Sequence, residues 1–271
     1  TISGWGTAND TVALGTDARA IGDQSLAIGG NTRATGNSSI ALGTDDLDQM
    51  NSKARSKFQT LTGESVPKSQ TYQNPTASGD ASIAFGGQTQ ATGDLSIAFG
   101  TLAKATQTNA LAVGTGAQAT LENATAIGAG SKTDKAGTVQ TEMTVFGSTI
   151  SFAGGANTLA GDIISVGSQG YERQIKNVAA GEVSADSTDA INGSQLYGFI
   201  RATEKARTTV SSEDGSVTVV SSVLAEDGHI NFDLSVPSTT LTVNESTGKV
   251  ATPESPNAFV TAGQVANAIN S

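Results

Sequence analysis

The chain has 271 residues, a formal net charge of −10, 37% apolar residues, 4% aromatic residues, 32 glycines and no cysteine. This composition excludes a disulfide framework and a thiolate metal site, and the acidic balance argues against electrostatic binding to nucleic acid. Small side chains must do the packing, and no apolar run approaches the roughly 18 residues a membrane helix needs.

From the N-terminus a four-residue phrase, apolar-Ala-apolar-Gly, returns with a 14-residue period. It reads Val12-Ala13-Leu14-Gly15, Leu26-Ala27-Ile28-Gly29, Ile40-Ala41-Leu42-Gly43, Ile83-Ala84-Phe85-Gly86, Ile97-Ala98-Phe99-Gly100, Leu111-Ala112-Val113-Gly114 and Thr125-Ala126-Ile127-Gly128. Two looser copies follow at Thr144-Val145-Phe146-Gly147 and Ile164-Ser165-Val166-Gly167. Such a period predicts stacked coils, about nine at roughly 4.8 Å each, every coil burying its apolar side only against its neighbours. Further glycines at Gly22, Gly36, Gly79 and Gly93 divide each coil into halves of seven residues. Each half holds a short strand and a tight turn, where glycine supplies positive φ.

Alternation assigns the faces of each strand. With the large pair of each phrase turned inwards, Ala13, Ala27, Ala41, Ala84, Ala98, Ala112 and Ala126 form an outward row. A row of alanines suits a surface packed against another chain, so it is the expected oligomer interface. In the other half-coil, small pairs such as Ala18/Ala20, Thr89/Ala91 and Ala103/Ala105 point inwards. Between them Arg19, Arg33, Gln90, Lys104, Gln118 and Lys132 form a polar ladder, read either as a solvated face or as a ligand-contacting stripe.

The interval from Gly43 to Gly86 is 43 residues, one coil plus an insertion over about 44–72. Leu47, Met50, Ala54, Phe58 and Leu61 recur at helical spacing there, with Thr44 or Asp45 as the cap. The helix either lies back on its host coils or protrudes as a binding element. Asp45-Asp46-Leu47-Asp48 lacks the calcium-loop pattern and is read as a charge cluster at the helix N-terminus, so no metal and no cofactor are expected.

After Gly167 come Ser165-Val166-Gly167-Ser168, Glu172-Arg173-Gln174-Ile175-Lys176-Asn177-Val178-Ala179-Ala180-Gly181 and Ser187-Thr188-Asp189-Ala190-Ile191-Asn192-Gly193-Ser194-Gln195-Leu196. These segments resemble the neck of trimeric autotransporter adhesins, and the 14-residue phrase resembles the YadA-like head repeat of the same proteins. Arg173, Gln174, Asn177, Asp189, Asn192, Gln195 and Leu196 carry the neck match. The resemblance implies an all-β dominated chain: a trimeric left-handed parallel β-roll head, a neck passing each chain beneath its neighbour, a short coiled coil and a small C-terminal β domain. Leu196, Ile200, Thr203, Arg207 and Val210 independently follow an a/d pattern.

The expected domains are a head over 1–167, a neck over 168–197, a stalk over 198–210, a β domain over 211–256 and a helical connector over 257–271. In the β domain, strand-like alternation surrounds Gly228-His229-Ile230-Asn231, which looks like a GIN-type domain of this family. Thr261 and Gln264 have capping-box spacing at the start of the connector. The chain reads as a fragment of a longer protein.

His229 is the single histidine, so catalysis by a histidine-based triad or metal pair has little to build on. The resemblance implies a homotrimer on the bacterial surface, held in the outer membrane by an anchor outside this stretch. Its expected partners are collagen or another matrix protein, a host cell or a sibling adhesin. The competing role is a spacer projecting a more distal binding domain. A polysaccharide-acting single-chain solenoid is disfavoured by the alanine row and the neck.

Overall fold

The computed structural model describes residues 4–6, 9–67, 72–145, 147–156, 159–205, 209–213, 217–223, 230–251 and 258–270. The chain divides into two units, 1–144 with 149–190, and 145–148 with 191–271.

The first unit is a parallel β-solenoid. Its phrase strands, from Val12–Leu14 to Ile164–Ser165, form an eight-stranded sheet in coil order, and its ladder strands, from Gly4–Gly6 to Gln118–Ala119, form a seven-stranded one. Register follows the repeat: Ala98 lies beside Ala84 and Ala112, and Lys104 beside Gln90 and Gln118. Parallel coils sit close enough that a Cβ on Gly22, Gly36 or Gly79 would collide with the carbonyl of the equivalent glycine one coil on. Close approach therefore explains these three glycines. Gly15, Gly29, Gly43, Gly86, Gly100 and Gly114 of the phrase meet the same obstruction, and all of these but Gly43 also carry positive φ, as at Gly86 (+137°).

The orientation of the phrase strands reverses the expectation. Ala27, Ala41, Ala84, Ala98, Ala112 and Ala126 have no exposed surface and meet Ala20, Ala34, Ala77, Ala91, Ala105 and Ala119 of the opposite sheet in one core, with Ala13 half-buried against it. The large residues point out, with Ile97 36% and Phe99 49% exposed. The physical reason is width. The tube joins two faces of alanine, serine and threonine, including fully buried Thr32, Thr89, Ser39 and Ser82, and has no room for Ile or Phe between them.

The same limit removes one coil. Thr144-Val145-Phe146-Gly147 is no repeat, because a valine occupies the inward position; Glu142–Val145 instead pairs with Ser148–Ser151 in a two-stranded sheet. Ser165 is small enough for that position, and Ile164 and Ser165 add to Thr125 and Ala126. The phrase sheet thus has eight strands rather than about nine.

The insertion's helix, α1 (Ser52–Thr62), begins later than the apolar spacing suggests, capped by Asn51, whose side chain accepts from the Ala54 amide, and closed by Gly63 at φ 73°. Leu47 and Met50 belong to the turn before it, where the Met50 amide donates to the Leu47 carbonyl at 3.1 Å. The acidic cluster consequently lies outside the helix's first turn, which holds no acid.

The second unit contains α2 (Gly193–Lys205), an antiparallel pair of Thr218–Val223 with Ile230–Ser235, a small pair of Val243–Asn244 with Lys249–Val250, and α3 (Ala262–Asn270). Thr261 and Gln264 make the reciprocal cap that their spacing predicts, at 2.8 and 3.3 Å. Val210 falls beyond α2 and is not helical. Arg207 and the Gly228-His229 part of the GIN-like phrase lie outside the described residues.

Candidate adhesion and assembly surfaces

The phrase sheet presents two columns of large apolar side chains. One runs through Val12, Leu26, Ile40, Ile83, Ile97 and Leu111, the other through Leu14, Ile28, Leu42, Phe85, Phe99 and Val113, because parallel in-register pairing stacks identical positions. The Phe85 and Phe99 rings stack at 4.8 Å with an 8° tilt. A contiguous apolar face of this kind marks an interaction surface. The outward apolar residues are thus those one position to either side of the alanine row, which is itself buried.

The opposite sheet carries the ladder, with Arg19 beside Arg33, Lys104 between Gln90 and Gln118, and Lys132 bridged to Gln118. All six residues point outward and are half-buried. Most are already engaged by their own chain. Arg19 pairs with Asp17 at 3.0 Å. Gln90 donates to the Asn74 carbonyl at 2.7 Å, and the Asn74 amide, turned so that its oxygen faces Arg33, accepts from that guanidinium. Gln118 and Lys132 both donate to Glu64, at 2.9 and 2.8 Å. Partial burial pushes the Glu64 carboxyl up, but the hydrogen bonds from Lys132 and Gln118, with the charges of Lys132 and Lys104, outweigh it and hold the group below its ordinary range.

Asp17 apart, the engaging residues lie in the insertion (Glu64) or just after it (Asn74), and the insertion lies back on the stack as a strap. The strap leaves after Gly43, with Asn31 donating to the Asp45 carboxylate at 2.9 Å and Gln88 to the Asp45 carbonyl at 2.7 Å. Leu47, Phe58, Val66 and Leu102 then form a small second core, with Met50 packed against it. Arg55 locks the turn by donating to the Leu47 and Met50 carbonyls at 2.6 and 3.1 Å. Its 11 residues, at roughly 1.5 Å each, let α1 pass about three coil spacings.

Two glycines make room for it. At the corner where the chain leaves most phrase strands, the second residue after the phrase glycine has positive φ, and Asp17, Asn31, Gln88 and Leu102 all tolerate it. Gly116 and Gly130 occupy the same position where α1 passes: a Cβ on Gly116 would lie 3.0 Å from the Thr62 methyl, and one on Gly130 2.6 Å from the Thr62 Cα. Sequence reasoning overlooked this pair together with Glu64 and Asn74. The available signal was a glycine where four other coils carry a side chain.

At the C-terminal end of the stack, Arg173 covers otherwise open carbonyls, donating to Ala129, to Val166 at 2.6 Å and to the Ser131 hydroxyl at 3.0 Å. Beside it opens a cavity of about 610 Å³ lined by Lys132, Asp134, Ile164, Gln169 and Glu172. Of the other neck residues, Gln174 is exposed, Asn177 turns the chain at φ 61°, and Asp189 accepts from the Glu182 amide at 3.0 Å. Asn192 and Gln195 cap α2 reciprocally, each accepting from the other's amide at 3.2 Å, and Leu196 is exposed on that helix. Among the described residues no His, Cys, Asp and Glu cluster could hold a metal, and no helix is long and apolar enough to cross a membrane.

A solenoid of 14-residue coils, with an apolar outer face and a linker into a capped helix, defines a repeat head joined to a stalk. The YadA head domain repeat matches residues 7–32, 20–45, 77–103 and 105–131, and the coiled stalk of trimeric autotransporter adhesin matches 174–219. The chain belongs to the trimeric autotransporter adhesins. The head matches stop and resume around the strap. Autotransporter adhesin BtaE of Brucella suis biovar 1 (strain 1330) is 45% identical over 71 residues, 26% of this chain and 9% of that protein. This chain thus spans under a tenth of the length of that relative. Among solved structures, the C-terminal YadA-like domain of BPSL2063 from Burkholderia pseudomallei is 31% identical, covering 58% of this chain and 60% of that one with a TM-score of 0.31. The collagen-binding domain of Yersinia adhesin YadA is 22% identical, covering 72% and 86% with a TM-score of 0.45. Adhesins are a non-enzymatic class, and the family is displayed on the cell surface from the outer membrane.

Proposed function

We propose that this chain is the head and upper stalk of a homotrimeric surface adhesin, acting by binding rather than by catalysis. The observation that carries the reading is the apolar double column on the phrase sheet, half exposed in one chain and continuous over the stack. Three such faces turned to a common axis bury it, and three identical outer surfaces then convert weak contacts into avidity. Collagen, another matrix protein, a host cell or a sibling adhesin is the target, and the three ladder cations that do not anchor Glu64 directly, Arg19, Arg33 and Lys104, are the candidate contact stripe, although Arg19 and Arg33 already have partners in their own chain. Attachment of the purified protein to matrix-coated surfaces, host cells and sibling bacteria tests this, with Arg19, Arg33 and Lys104 changed together to serine and Lys132 left to hold the strap. Attachment to none of these surfaces refutes adhesion by this part of the chain.

One observation favours the second reading, a spacer for another binding domain. The ladder residues Gln90, Gln118 and Lys132 are consumed by the strap, which leaves fewer of them for a ligand. A trimer that attaches nowhere yet restores adhesion when placed beneath a known binding domain supports the spacer.

A further inference from the structure

Coil 93–106 is unlike its neighbours at both corners. At the corner where the chain enters a phrase strand, the residue two before the phrase has positive φ in seven of the eight coils: Asp10, Gln24, Ser38, Ala81, Asn109 and Asn123, and in this coil Leu95 at 59°. At the exit corner the equivalent series contains Leu102 at 61°. A γ-branched apolar residue is a poor choice for a left-handed position, so each leucine calls for a compensating contact. Leu102 has one, being 7% exposed beneath the strap beside Leu47 and Phe58. Leu95 is 57% exposed, next to Ile97 of the apolar face, and belongs to neither apolar cluster among the described residues.

We propose that Leu95 seats on the strap of a neighbouring copy, against Met50 and the second core, so that the insertion staples the trimer. This rests on the trimeric reading. Rotation about an axis along the stack, with phrase sheets inward, sets the entry corner of each chain beside the exit corner of the next; the contact is heterologous and closes after three copies. Rotation adds no shift along the axis, so a coil meets the same coil. Leu95 and Leu102 share one coil, and at that height the exit corner is occupied by Leu47 and Met50. Met50 is only half-buried on its own chain, leaving apolar surface for the incoming side chain.

The chain has no cysteine, so one engineered pair reports cleanly. Leu95→Cys with Met50→Cys, under a mild oxidant, gives covalent dimers and trimers on a denaturing gel, and neither single variant does. A native mass of three chains with no such ladder, or a cross-link within one chain, overturns the strap contact while leaving the trimer intact; a native mass of one chain overturns both. Leu95→Asn gives a test of sign. Asn109 and Asn123 already serve at this corner, so the substitution relaxes the backbone and raises the melting temperature if Leu95 touches nothing. A docked Leu95 predicts the reverse, a trimer that dissociates at protein concentrations at least about tenfold higher. Raised stability of the Asn variant refutes the proposal.

Discussion

The inward alanine and the outward phenylalanine make opposite demands, which Ala98→Val and Phe99→Ser separate. Ala98 is fully buried, in register between Ala84 and Ala112 and facing the alanines of the ladder sheet. Two added methyls have no void to fill, so overpacking destabilises each chain by about 1–3 kcal/mol. Phe99 is 49% exposed in the single chain, which for a ring burying about 200 Å² leaves roughly 100 Å² to be covered on assembly. At about 25 cal/mol per Å² its loss weakens association by about 2.5 kcal/mol per chain and about 7.5 kcal/mol per trimer. Sedimentation across a concentration series reads association, and circular dichroism melting of the dissociated chain reads the fold. Phe99→Ser should shift the first strongly and the second little, while Ala98→Val should lower the melt at every concentration. The opposite pattern, with Ala98→Val weakening assembly of an intact protomer, would falsify the inside-out orientation.

Three further outcomes follow from the strap and the core. Gly116→Ala with Gly130→Ala drives methyl groups into Thr62 and Phe58, so α1 should undock and become protease-sensitive while the solenoid persists; unchanged proteolysis counts against the corner contacts. Glu64 has a lowered folded pKa, so its contribution to strap docking is complete above the ordinary carboxylate range and is lost as pH falls through the lowered value. Amide exchange in α1 should therefore accelerate at acid pH and at neutral pH in Glu64→Gln, and equal protection throughout would dismiss the anchor. Ser82 and Ser96 bury hydroxyls without partners at the position where other coils hold Ala110 and Ala124. Ser82→Ala with Ser96→Ala should raise stability by about 1 kcal/mol each in denaturant melts, and a lower midpoint would show that these hydroxyls are bonded in solution.

Periodicity made the coils, the insertion and the ladder legible from the sequence, because those depend only on which positions repeat. Which face turns inward depends on the width of the tube, and alternation is blind to width. Placing Ile97 and Phe99 inside applies the rule for a thick core to a fold without one. The needed clue lay in Ser25, Ser39, Ser82 and Ser96, which share the alanine face and complete a small-residue lining opposite Ala18 and Ala20. The strap's helix was legible from spacing, but its docking was not. Glu64 contacts Gln118 and Lys132 across 54 and 68 residues of chain, a proximity that exists only after the stack has formed.

Exporting the large side chains has a consequence for how the head acquires its stability. The interior is lined by alanine, serine and threonine, so each chain gains little from apolar burial within itself and relies on backbone ladders between coils. The area that would stabilise an ordinary core stands on the phrase sheet, where the proposed trimer would cover it. In the proposed trimer, folding and association are thereby coupled, and each added coil contributes a similar increment to both. The strap fits the same logic at the exit corner. It supplies Leu47, Phe58 and Val66, the bulk that the tube itself excludes, and holds them on the outside of the coils, where Gly87 leaves room for Leu47 and Gly116 for Phe58.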